Sequence, residues 1–136
     1  MNNEEKKQYL RRYQVAKRRV GLIQEEIEEL RSSKTSPVGL GDGMPHGSGT
    51  SDLSGYAARL DELLRELEAE KEMQMVTYRE IRQQIGMVPD AIEQEILSRR
   101  YLIGQSWEKI AVEMKYSYRH VTKLHGHALN HFEIVW

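Results

Sequence analysis

ILSRRYLIGQSWEKIAVEMKYSYRHVTKLHGHAL, residues 96–129, holds three short apolar faces separated by two turn signals. Ile96, Leu97, Tyr101 and Leu102 give one face. Trp107, Ile110, Ala111 and Met114 give the second, and Val121, Leu124, Ala128 and Leu129 the third. All follow the three-and-four spacing of amphipathic helices. Gly104 closes the first helix, while Ser106 and Ser117 stand where N-caps belong. The spacing predicts helices over about 90–103, 106–115 and 118–133. The turn Lys115-Tyr116-Ser117 is short, and Ala111 is small enough to let two helices cross closely. Together they predict a steep angle between the last two helices, as in a helix-turn-helix.

Upstream, Val88-Pro89-Asp90 ends one helix and begins another, with Asp90 and Glu93 spaced as a capping box. Before it runs a long helix from about Asp52 to Gly86, with Ser51 or Asp52 as its cap. Its apolar seam reads Leu53, Ala57, Leu60, Leu64 and Leu67, resumed at Tyr78, Ile81 and Ile85. Lys71 and Gln74 interrupt that seam, with Met73, Met75 and Val76 displaced around the helix. A first helix, about residues 3–32, carries Tyr9, Tyr13, Ala16, Val20, Ile23, Ile27 and Leu30 in coiled-coil-like alternation. Between the two long helices residues 33–51 are rich in Gly, Ser, Thr and Pro and are expected to be a flexible loop. The expected fold is all-α. Residues 1–86 form a long antiparallel helical hairpin, or a dimerising coiled coil, and residues 87–136 form a three-helix helix-turn-helix domain.

Composition agrees with elongated, solvent-washed helices: 30% of the 136 residues are charged and 7% aromatic. Without cysteine, disulfides and thiolate metal sites are excluded. No apolar run has the length of a membrane span and the N-terminus lacks a signal-peptide core, so a cytoplasmic protein is expected. The formal net charge is −1, but charge is divided unevenly. Over residues 99–136, Arg99, Arg100, Lys109, Lys115, Arg119 and Lys123 oppose only Glu108, Glu113 and Glu133; residues 52–86 hold five basic and eight acidic side chains. Salt screens charges beyond about 10 Å, so the local excess governs phosphate binding.

The order RRY, G-x-S, I-A, Y-S, V and A-L across residues 89–130 resembles region 4 of sigma-70-type factors. Within that superfamily the chain is similar to phage-encoded regulators of the RinA and ArpU type. The loop residues Met44-Pro45-x-Gly47-Ser48-Gly49-x-Ser51-Asp52 and the run Leu124-His125-Gly126-x-Ala128-Leu129 carry that closer likeness. The resemblance implies a DNA-binding transcriptional regulator of phage or prophage genes in a bacterial host. It would be an activator working with RNA polymerase on double-stranded DNA, and a homodimer is one arrangement. The alternative is an assembly protein such as a terminase small subunit; a third reading is a polymerase adaptor that no longer binds DNA. In such a fold bases are read from the first turns of the recognition helix. Those positions are Ser117, Tyr118, Arg119, His120, Thr122 and Lys123, with Tyr118 standing where sigma factors often carry a basic residue. Ser106 and Lys109 are expected at phosphates.

Other groups read more plainly. Trp107 is expected to pack, and Arg99 and Arg100 to be solvated or paired with glutamates. The basic run Lys6, Lys7, Arg11, Arg12, Lys17, Arg18 and Arg19 reads first as a solvated face and only second as a phosphate contact. His127 and His131 have a spacing that can chelate zinc, but no third ligand follows, so no metal site and no cofactor are expected. Neither a phosphate-binding glycine loop nor a nucleophile beside a base is present, so no enzyme is expected.

Overall fold

The computed structural model describes residues 1–34 and 49–135. Among these residues every regular element is helical: α1 (Asn3–Lys34), α2 (Gly49–Ile85), α3 (Ala91–Leu97), a π-helical turn (Ser98–Ile103), α4 (Trp107–Met114) and α5 (Tyr118–His131). None is long and apolar enough to cross a membrane. α1 ends and α2 begins inside the stretch read as a loop, so residues 33, 34 and 49–51 are helical. Because α2 already begins at Gly49, Ser51 and Asp52 lie within the helix and do not cap it as expected, while the flexibility expected of the remaining loop lies outside the described residues. The chain divides into two compact units, one of Met1–Lys17 with Met73–Trp136 and one of Arg18–Glu72.

In the Arg18–Glu72 unit, Ile23 and Ile27 of α1 pack with Leu63 of α2, flanked by Leu30, Leu60 and Leu67. The α1 seam is the one its spacing predicts. The α2 seam is not: Leu63 is 7% exposed, whereas Leu64 is 39% and Leu53 51% exposed. The phase is shared with the far end of the helix, where Thr77, Ile81 and Gln84 are buried. Counting back from Ile81 in alternate steps of four and three reaches Leu63 and Leu60, and misses Leu64.

The core of the other unit gathers Tyr9 and Leu10 from α1, Ile81 and Ile85 from α2, and Val88. Leu97, Tyr101, Leu102, Ala128, Leu129 and Phe132 complete it. Residues on both sides of position 87 therefore share one hydrophobic interior. Tyr13 meets Tyr78 edge-on at 5.1 Å between ring centroids, and Arg12 pairs with Glu80 at 3.0 Å. Arg12–Glu80 is exposed to solvent and contributes little stability.

Three local details differ from the sequence expectation. The first short helix does not stay α-helical to Ile103: its last turn widens, and the Gly104 N–H donates to the Arg99 carbonyl at 3.0 Å. That i→i+5 closure inserts a residue and lets Leu97, Tyr101 and Leu102 all face inward. Gly104 itself has φ 86°, a left-handed conformation that favours glycine, and a Cβ there would stand a tight 3.1 Å from the end of the Gln14 side chain. At the start of α3, Asp90 accepts from Ile92 N at 2.8 Å as a cap should. The box is not closed, because Glu93 turns away to His131 Nδ1, 2.8 Å from Oε1. Finally, α5 stops at His131 rather than 133, and Phe132 enters the core completely buried. Beyond it the Gln84 side-chain amide pairs with the Val135 backbone in both directions, at 2.7 and 2.8 Å.

Candidate nucleic-acid interface

α4 is started by Ser106, whose Oγ accepts from Lys109 N at 3.2 Å. It is stopped by Lys115, which adopts the left-handed conformation (φ 60°, ψ 40°). Tyr116 N donates to Ala111 O at 3.0 Å and Lys115 N to Val112 O at 3.3 Å. These are the paired hydrogen bonds of a Schellman turn. Its hydrophobic clasp is present too, since Tyr116 and Ala111 belong to one apolar cluster with Ile110, Val121, Trp107 and Met114. Two residues later Ser117 Oγ accepts from His120 N at 3.1 Å and starts α5. The turn is thus held at both ends by its own backbone, and Ile110, Ala111 and Val121 lock α5 to α4.

That lock decides which side of α5 faces solvent. Val121, His125, Ala128 and Leu129 are buried; Arg119, Lys123, His127 and Asn130 are exposed on the opposite face, with His120 beside them. Tyr118 is 51% exposed at the first position of the helix. Arg119, Lys123 and Lys109 have no carboxylate within ion-pairing distance among the described residues. Thr122 is half-buried and its Oγ1 donates to the Arg119 carbonyl at 2.9 Å. The His120 ring stands edge-on to Tyr116 at 4.8 Å. Ser106 and Ser117 each accept one cap hydrogen bond and keep the hydroxyl proton free to donate. Tyr118, Arg119, His120, Thr122 and Lys123 therefore come together with Ser117 at one end of α5, while Ser106 and Lys109 mark the exposed start of α4.

Behind this surface lies a polar and aromatic array that spacing did not single out. Tyr101 Oη and His125 Nε2 are 2.8 Å apart, and the His125 ring lies 4.5 Å from Trp107. Arg100 stacks its guanidinium over Trp107 at 4.4 Å and donates to the Gln105 carbonyl at 3.1 Å. Trp107 packs as expected. Arg99 is ion-paired with Glu95 at 2.7 Å. Burial, reinforced by the cations Lys7, Arg100 and Arg11, lowers the His125 pKa to about 4. Burial likewise raises the Tyr101 phenol. At neutral pH the pair is uncharged and shares one hydrogen bond, whose direction follows the imidazole tautomer. The signal for a buried His125 was available: it sits four residues after Val121 and four before Leu129. Of the zinc-spaced histidines, His127 is exposed and His131 is held by Glu93.

The array ties three elements together, since Tyr101 and Arg100 come from the π-helical turn, Trp107 from α4 and His125 from α5. α1 adds a fourth: Gln14 Nε2 donates to the carbonyl of Tyr101 at 3.1 Å. Lys6 Nζ donates to the Leu129 carbonyl at 2.8 Å, a cation placed at the negative end of α5. No family model, curated protein or solved structure matches the chain.

Proposed function

We propose that the chain is a sequence-specific regulator of transcription that binds double-stranded DNA through a helix-turn-helix formed by α4 and α5. The resemblance to sigma-70 region 4 and to phage regulators of the RinA and ArpU type motivates the biological setting: activation of phage or prophage genes in the bacterial cytoplasm, together with RNA polymerase. The observation that carries the reading is a pair of cations without a carboxylate partner among the described residues, Arg119 and Lys123, on the outer face of α5 just after a serine-capped turn. A helix held this way presents its first turns to base edges in a major groove. Arg119 suits a bidentate contact to guanine, and the Thr122 methyl a thymine methyl. Lys109 and the hydroxyls of Ser106 and Ser117 suit phosphates, which position without specifying. The apolar pairing of α1 with α2 is read as an antiparallel hairpin that serves dimerisation or polymerase contact.

Selection of bound duplexes from a random pool tests the reading. Wild-type protein should enrich one sequence. Arg119→Ala should weaken binding to it by roughly 1–3 kcal/mol and relax one base position. If no sequence is enriched, the reading fails.

A second reading, a DNA-packaging subunit that works as a ring, draws on the exposed Leu22, Leu53 and Leu64 of the Arg18–Glu72 unit. Exposed leucines on two helices suit burial between copies. Light scattering separates the two, since a large closed oligomer favours packaging and a monomer or dimer favours regulation.

A further inference from the structure

The first turns of α1 lie against the C-terminal end of α5 and the π-helical turn. Asn3 Nδ2 donates to Asn130 Oδ1 at 3.0 Å, Lys6 Nζ to the Leu129 carbonyl at 2.8 Å, and Gln14 Nε2 to the Tyr101 carbonyl at 3.1 Å. Asn130 belongs to the same exposed face of α5 as Arg119 and Lys123, eleven and seven residues before it. Between the Asn3 and Gln14 contacts, Lys7 and Arg11 sit one turn apart on α1, about 6 Å along its axis. Arg11 is exposed with no carboxylate partner among the described residues. Lys7 pairs only with Glu4, at 3.2 Å, and that carboxylate is itself open to solvent. Arg100 joins them on the neighbouring π-helical turn, where one N–H is spent on a carbonyl and the guanidinium keeps others. Three cations against one exposed carboxylate make this flank of the unit basic.

The geometry points to a second DNA-binding surface: Lys7 and Arg11 of α1, with Arg100, grip the phosphodiester backbone of duplex DNA beside the bases that α5 reads. This rests on the proposed function for its ligand. Nothing in the strip resembles a base-reading site. There is no recognition helix end, and its long flexible cations neutralise phosphates without demanding a sequence. The strip therefore contributes affinity and salt dependence, while discrimination stays with Arg119. It also gives α1 a role in binding as well as in the core.

The test is a salt titration by fluorescence anisotropy, using the full chain, the enriched duplex and a random duplex. Lys7→Gln with Arg11→Gln keeps most of each aliphatic stem and removes two charges. The slope of log K against log salt should become less steep by about 1.8, following about 0.9 per phosphate neutralised. Between about 50 and about 200 mM salt, the fall in affinity should then be roughly twelve-fold smaller than for wild type. Both duplexes should weaken equally, leaving the ratio between them unchanged. Glu4→Gln should tighten binding to both, a gain that a poorly folded variant does not give. An unchanged slope in the double variant, alongside lost discrimination in Arg119→Ala, would overturn the inference and leave the proposed function standing. A reduced slope in a protein that never discriminates would support the strip and overturn the sequence-specific reading.

Discussion

Acid should loosen this protein through one residue, His125. Its imidazole is buried against Trp107 and Tyr101, and its pKa is lowered to about 4 from the ordinary 6.5. The depressed value means that the unfolded chain binds a proton there more readily than the folded one. Stability from this group is therefore complete above about pH 6.5 and is lost as pH falls towards 4. The difference of about two and a half pH units, at about 1.4 kcal/mol each, corresponds to roughly 3 kcal/mol. That is a large share of the stability of a small unit. Protonation would also oblige both ring nitrogens to donate, so the Tyr101 oxygen could only accept from Nε2. The assay is urea unfolding followed by circular dichroism at intervals from pH 7 to pH 4, for wild type and His125→Gln. The variant should be less stable at pH 7, but should lose roughly 3 kcal/mol less on acidification. Parallel curves for the two proteins would refute a buried, neutral His125.

Lys115→Gly should stabilise the protein by about 1 kcal/mol, because glycine occupies the left-handed position without a Cβ penalty; a melting curve that moves down would count against the Schellman turn. Phe132→Ala should cost about 3–5 kcal/mol in chemical denaturation, since the ring is wholly enclosed although it lies beyond the last helix. Leu63→Ala should cost about 2–4 kcal/mol while Leu64→Ala costs under about 1 kcal/mol, and the reverse order would show that the α2 seam has the other phase.

Much of the architecture was legible because it rests on short-range patterns. The α1 seam has only one apolar series to follow from Tyr9 to Leu30. α2 offers two, since Leu60 and Leu67 are compatible with either Leu63 or Leu64 between them. The choice is made by partners distant in sequence. The caps Ser106 and Ser117 and the exposed face of α5 follow from local spacing, and the positions of Arg119 and Lys123 follow with them. The widened turn at Ser98–Ile103 could not, because an i→i+5 closure leaves no period in the sequence. Glu93 was three residues from a cap and yet bonds His131, an interaction across 38 positions that local rules do not weigh. The same holds for α1: its lysines and arginines read as a solvated helical face until Asn3, Lys6 and Gln14 are seen bound to α5 and the π-helical turn.

The unit that holds the candidate interface is discontinuous in sequence, with residues 18–72 emerging as an excursion between its two pieces. Excising residues 87–136 as a free-standing domain would strip Tyr9, Leu10, Ile81 and Ile85 from its interior and leave apolar surface bare. Deleting inward from the excursion is the sounder dissection. Matched whole heptads removed from α1 and α2, with the ends rejoined, preserve the seam phase and change loop-closure entropy only logarithmically. The number of heptads that α1 and α2 share is thus a free dimension of this architecture, adjustable over evolution or by design without rebuilding the unit proposed to touch DNA.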